Sequence, residues 1–176
     1  MLTLVFIFVL ILLIGIPVGL SYLIFKFIKR KGFDKRLSIV ALTPILFVTY
    51  QVYTAIYPGE DFYRNDFQEV SGIELPQAVE FEFKTTSFPD HFGDYTSVSV
   101  IRVGKDFYQL LPDILNKKGL KEENTKIDSR RFSTALENLD DLKIEKEYFM
   151  EEGAGVYYYV GFLSDDETII VNRLSW

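Results

Sequence analysis

The side chains of this chain most open to a chemical reading are its carboxylates and one imidazole, for the sequence holds a single histidine and no cysteine. His91 stands in the stretch SFPDHFGDYTS, close to Asp90 and Asp94. A histidine beside a carboxylate suits a general base held in one orientation, and an imidazole can also ligate a metal. Zinc, however, takes three or four nitrogen or sulfur ligands in most sites, and the chain has none to add. The Pro, Gly and Asp around His91 are also what a loop between two strands requires, and that plainer reading is preferred. Glu80 and Glu82 alternate along one strand face, while Asp165, Asp166 and Glu167 form a run. Paired carboxylates can cleave glycosides or hold calcium, since both tasks need closely placed oxygens. No EF-hand spacing accompanies either group, and the 165–167 run falls at an expected hairpin tip. Solvated charge accounts for both. No G-x-S-x-G, G-x-G-x-x-G or Walker-type loop is present. The sequence thus predicts no catalytic residue, no metal ligand and no cofactor.

The elements that would position such groups begin with two uncharged runs. Residues 1–25, MLTLVFIFVLILLIGIPVGLSYLIF, carry no charge, and neither do residues 37–57, LSIVALTPILFVTYQVYTAIY. As helices they would be about 37 and 32 Å long, enough for a hydrocarbon core of about 30 Å. An unpaired backbone amide in lipid costs several kcal/mol, so such runs are read as spanning helices. A cleaved signal peptide would place basic residues before the apolar run and a small-residue cleavage site after it. Here the basic residues follow the run, so it is expected to be retained.

Between the runs, KFIKRKGFDKR at 26–36 holds six basic residues and one acidic one. Lys26, Lys29, Arg30, Lys31, Lys35 and Arg36 would occupy a short loop touching both helix ends, where cations set topology. Such loops stay cytoplasmic. The amino terminus and everything after Tyr57 are then expected on the other side, the periplasmic side of a bacterial inner membrane. Residues 58–176 hold 13 basic and 24 acidic residues, a net charge of −11. Phosphates repel such a domain, which excludes nucleic acid as its partner.

Gly15 and Gly19 stand at G-x-x-x-G spacing, which lets helix backbones approach closely. Either the chain's own second helix or a partner's helix could use that groove, and the first is preferred. Pro17 between them is expected to bend the helix. Tyr50, Tyr53 and Tyr57 gather at the far end of the second run, as interfacial aromatics do.

Beyond Pro58-Gly59, Tyr63, Phe67 and Val70 share one helical face, predicting a short amphipathic connector within 58–75 that ends at Gly72. It would lie on the membrane surface or cap the following domain. From residue 76 the period becomes two: Val79, Phe81 and Phe83 face one way, Glu80, Glu82 and Lys84 the other. DYTSVSVIRV supplies a second strand. KDFYQLLPDILNKKG predicts a helix with Phe107, Leu110, Leu111, Ile114 and Leu115 inward, kinked or divided by Pro112. KEENTKIDS reads as an exposed loop, and RRFSTALENLDDL as a helix of about three turns burying Phe132, Leu136 and Leu139. GVYYYVGFL and TIIVNRLSW flank the turn SDDE as a hairpin. Val156, Tyr158, Val160 and Phe162 take one face; Tyr157, Tyr159 and Leu163 take the other, so both faces need covering. The expectation is α+β: a two-helix transmembrane hairpin, then a mainly antiparallel sheet domain at 76–176 in the order β-β-α-α-β-β.

FPDHFGDYTSVSVIRV followed by KDFYQLL resembles a pattern of small bacterial envelope proteins in which a P-D-x-x-G-D-Y loop precedes a strand and a helix. The resemblance rests on residues 88–111. It implies an envelope location and carries no activity to any residue.

Function follows from place. Two anchors and an acidic domain predict a non-catalytic protein-interaction module, with the bilayer and a partner protein, for which a basic surface is suited, as its contacts. An accessory subunit of a membrane complex and an immunity-type protein both fit. Tyr157, Tyr159 and Trp176 are the candidate contact residues. A membrane-anchored enzyme using the His91 loop, or a minor transport component resting on Gln51, are the alternatives.

Overall fold

The structure is a computed structural model that describes residues 2–33, 35–87, 93–139, 141–153 and 155–175, with the backbone alone at 2–10 and 35. His91 and Trp176 lie outside the described residues, as does Asp90. The chain divides into two compact units, Met1–Ile56 and Tyr57–Trp176.

In the first unit, α1 runs Leu2–Lys31, a 3₁₀ helix covers Lys35–Leu42, and α2 runs Thr43–Ile56. The expected end at residue 25 is corrected, because the helix continues through Lys26, Lys29, Arg30 and Lys31. Lysine and arginine are good helix formers, and cations are favoured by the dipole at a helix carboxyl end. The chain leaves the helix at Gly32, whose φ of +69° suits a residue without Cβ. The basic residues therefore frame a tight elbow instead of filling a loop of eleven residues. The single helix expected at 37–57 is likewise corrected to a 3₁₀ segment followed by an α-helix. Pro44, the second residue of α2, has no N–H for the carbonyl four residues back, so the turn before it winds tighter. The two pieces together still span about 37 Å. Segments long and apolar enough to cross a membrane lie within Ile11–Lys31 and within Arg36–Ser71.

The second unit is α+β. It contains α3 (Glu60–Ser71), β1 (Glu80–Thr86), β2 (Thr96–Arg102), α4 (Lys105–Lys118), β3 (Lys121–Glu122), α5 (Arg130–Glu137), β4 (Ile144–Glu152), β5 (Val156–Leu163) and β6 (Thr168–Ser175). One antiparallel sheet has the order β1-β2-β6-β5-β4-β3. The expected four strands become six. β3 forms inside the segment read as a loop. β4, IEKEYFMEE, has no clean alternation, and a register shift between Ile144 and Lys146 interrupts it further.

Each sheet face has its own core. Phe67 and Val70 of α3 and Leu111 and Leu115 of α4 pack over Ile101, Tyr158, Val160, Phe162, Ile169 and Val171. Phe132 and Ala135 of α5, with Leu139, pack over Val98, Val100, Tyr159, Leu163 and Ile170. The alternation read in β5 is the observed one, and helices of the domain cover both of its faces. The segment 58–75 thus contributes a core helix: Phe67 and Val70 are fully buried, and Gly72 closes α3 in the left-handed conformation.

The alternation read in β1 is corrected. Phe81 pairs with Ile101 and Phe83 with Val100, with a bulge between them. The extra residue, Glu82, turns the two phenylalanines to opposite faces, and each joins a different core. In α4, Leu110 is 61% exposed and Pro112 does not divide the helix. Tyr108 turns inward instead, its ring edge-on to Phe162 at 4.9 Å and its hydroxyl donating to the Leu163 carbonyl at 2.7 Å. α5 is eight residues long, so Ala135 takes the buried place expected of Leu136.

Candidate functional site

A connected group of titratable side chains lies where α3 meets the ends of β2 and β6. Residues 66 and 69 are one helical turn apart, so Asp66 and Glu69 project from the same side of α3. β6 presents Arg173 toward them, opposite Ser97 of β2 and Tyr158 of β5. Small side chains at Ser97 and Ser99, both buried, let α3 sit close to the sheet.

The contacts form one connected set. Tyr95 donates its hydroxyl to Asp66 Oδ1 at 2.6 Å. Glu69 Oε1 accepts from the Tyr158 hydroxyl at 2.8 Å and from Arg173 Nε at 2.9 Å. The Arg173 guanidinium lies 4.2 Å from the centre of the Tyr95 ring and donates from Nη1 to Ser175 Oγ at 3.2 Å. Ser175 Oγ in turn accepts the Tyr95 backbone N–H at 3.0 Å.

Burial dominates the electrostatics. Asp66 is 5% exposed, and its Oδ2 has no hydrogen-bond partner. Burial pushes its carboxyl above the ordinary aspartate range, against the lowering pull of Ser97, Tyr95 and Arg173. Tyr95 and Tyr158 are raised, by burial first and then by hydrogen bonding to Asp66 and Glu69 respectively. Charged, hydrogen-bonded pairs of this kind join elements more firmly than neutral ones. The arrangement fastens α3, the helix that follows the apolar hairpin, to the centre of the sheet. No residue of it was weighed as a functional residue in the sequence, where Tyr158 was placed on one face of the predicted hairpin. Asp66 and Glu69 fall in the predicted amphipathic connector, and Tyr95 in the stretch predicted as the second strand.

The carboxylate groups weighed from the sequence serve the fold. Asp165 Oδ1 accepts the backbone N–H of Glu167 at 3.2 Å and of Thr168 at 3.0 Å, and its Oδ2 accepts the Thr168 hydroxyl at 2.6 Å. Burial raises the Asp165 carboxyl, and these bonds outweigh it and bring it below the ordinary range. Asp166 adopts φ +60° in the same turn. Glu80, Glu82 and Glu167 gather around Arg102. Among the described residues no group of three or more His, Cys, Asp or Glu could hold a metal ion.

Of the expected contact residues, Tyr159 is corrected to a core position: it is 1% exposed and meets Phe132 edge-on at 5.1 Å. Tyr157 is half-buried, stacks on Phe149 at 5.8 Å and donates to Glu151 Oε1 at 3.2 Å. In the hairpin, a Cβ built on Gly15 or Gly19 would meet nothing within 4 Å. α2 does not use that small-residue face, which corrects the preferred reading. α1 and α2 enclose instead an apolar groove of about 300 Å³ between Pro17 and Val18 on one side and Ile45, Val48 and Val52 on the other. No family model, curated protein or solved structure matches the chain.

Proposed function

We propose that this chain is a membrane-anchored, non-catalytic module whose acidic domain binds another protein on the face of the membrane opposite the basic elbow. One observation carries the reading. Among the described residues, the large apolar side chains left exposed all precede Pro58, except Leu110 and Leu136. An exposed apolar surface of that extent needs a cover, and two segments of spanning length make a bilayer the simplest one. Lys26, Lys29, Arg30, Lys31, Lys35 and Arg36 cluster at the elbow, which favours its retention in the cytosol. In a bacterial inner membrane the domain then works in the periplasm, and the P-D-x-x-G-D-Y resemblance is in keeping with an envelope location. Its net charge of −11 suits a basic protein partner by raising the encounter rate. An accessory subunit of a membrane complex and an immunity-type protein are the two roles such a module would fill.

The test has two parts. A reporter active only outside the cytosol, fused after the domain, should be active; activity of the cytosolic form alone would place the domain on the wrong side. Crosslinking in native membranes, followed by purification in mild detergent, should recover a second protein whose yield falls as salt rises. Recovery of this chain alone at every salt concentration would remove the interaction role.

A further inference from the structure

On the α5 face of the sheet, the chain segment 125–128 lies against β4, β5 and β6. A cavity of about 180 Å³ remains there, walled by Phe149, Tyr157, Tyr159, Ile127, Leu174 and Asn172. About 150 Å³ is enough to admit benzene in an apolar protein cavity. The polar member of the wall is out of place. β6 alternates Ile170, Asn172, Leu174 on this face, and Asn172 is 1% exposed with no hydrogen-bond partner for its Oδ1. An aliphatic side chain there would fill the space without burying an unpaired carboxamide, which costs stability. Asn172 lines the cavity, and the torsion at the end of an asparagine is soft, so rotation about it can present the oxygen there. Lys126 and Asp128, both exposed, bring opposite charges to the mouth. They favour a neutral occupant over an ion.

We propose that this cavity binds a single neutral aromatic ring system bearing one N–H or O–H group, with the ring among Phe149, Tyr157 and Tyr159 and the donor on Asn172 Oδ1. Aromatic walls favour stacked and edge-on rings, and the unpaired acceptor selects for a donor. Such a ring reaches the site either as a free indole or phenol or as a tryptophan or tyrosine side chain of a peptide.

The test uses the full chain in lipid nanodiscs, with the Asn172 side-chain amide followed by NMR. Indole and 4-methylphenol, as free rings, and a short peptide with a central tryptophan are titrated separately. Indene and toluene serve as ring controls without a donor. Saturable shifts at Asn172 with indole, 4-methylphenol or the peptide are expected, and whichever class gives them identifies the source. Indene should bind about tenfold more weakly than indole, the worth of one neutral hydrogen bond. Asn172→Leu should erase that difference, read through Tyr157 signals. Thr125→Phe, a change at a half-buried position in the 125–128 segment, should plug the cavity and abolish the shifts while the domain stays folded. No saturable shift with any ring, leaving Asn172 to water alone, would overturn the proposal. So would equal binding of indole and indene to the unaltered chain.

Discussion

The two units spend the same residue types in opposite ways. In the hairpin, Leu46 is 65% exposed and belongs to a surface that is apolar nearly everywhere. In the domain, Leu110 is 61% exposed and is one of two such residues among those described. Equal exposure has a different meaning in each place. A lone leucine on a water-soluble surface is ordinary, whereas a continuous apolar surface requires a non-aqueous neighbour. The domain places its apolar residues in two cores, one on each side of a single sheet. Exposure alone therefore says little until its continuity is known.

Substitutions can break that contrast, and the largest effect belongs to the domain core. Phe67→Ala should destabilise the domain by about 3–5 kcal/mol in denaturant unfolding, because a fully buried ring is removed. Membrane insertion of the hairpin should be unchanged by it. Next comes the matched pair. Leu46→Arg should cost about 2.5–3.5 kcal/mol of insertion, measured by the fraction reaching the membrane. Leu110→Arg should stay within about 0.5 kcal/mol. A neutral Leu46→Arg would mean that water, not lipid, covers the hairpin.

Gly161→Ala sharpens the comparison at a finer scale. A Cβ there would sit 2.7 Å from Ile170 Cγ2 and 2.8 Å from the Tyr159 hydroxyl. Overpacking of about 1–3 kcal/mol should appear as a lower midpoint of thermal unfolding. In the hairpin, Gly15→Ala and Gly19→Ala meet no neighbour. They should leave the stability of the isolated hairpin equal to or above that of the unaltered chain.

Two aspartates give the smallest effects, of opposite sign. Asp165 is held below its ordinary range, so its contribution is present above the unfolded aspartate pKa and is lost as pH falls through the lowered folded value. Asp66 is raised, so its protonated form is favoured on folding and that contribution is lost as pH rises through the raised value. Asp165→Asn should therefore weaken the domain at neutral pH and flatten the acid limb of a stability–pH curve. Asp66→Asn, which keeps an acceptor for Tyr95, should remove the decline above the ordinary aspartate range. A steeper decline in that variant would mean that Arg173 outweighs burial.

Much of the fold was legible where one physical signal stood alone. The uncharged runs stood out by length and lack of charge, the 156–163 and 168–175 hairpin by two apolar stretches around a turn, and the 60–71 helix by the spacing of Tyr63, Phe67 and Val70. Reading failed where two signals competed. Phe81 and Phe83 look alike in an alternating strand, and a bulge at Glu82, set by pairing with β2, parted them. β4 was hidden because the two residues of β3 pair with only a short part of it, and the charges along its largely open margin dilute its alternation. Helical spacing placed Leu110 and Leu136 inward, whereas Tyr108 and Ala135 fit closer to the sheet. The Asp66–Glu69–Arg173 cluster was least legible of all, since it joins residues up to 107 positions apart that have no local pattern in common.

The pairing of β2 with β6 has a consequence for how the chain comes into being. Arg102 lies opposite Thr168, 66 positions later. Until the second of these strands emerges, Val98, Val100 and Ile101 form a greasy ribbon with one raw margin, open to any stray strand nearby. Synthesis must outrun that hazard, or a chaperone must shield the ribbon until its neighbour arrives.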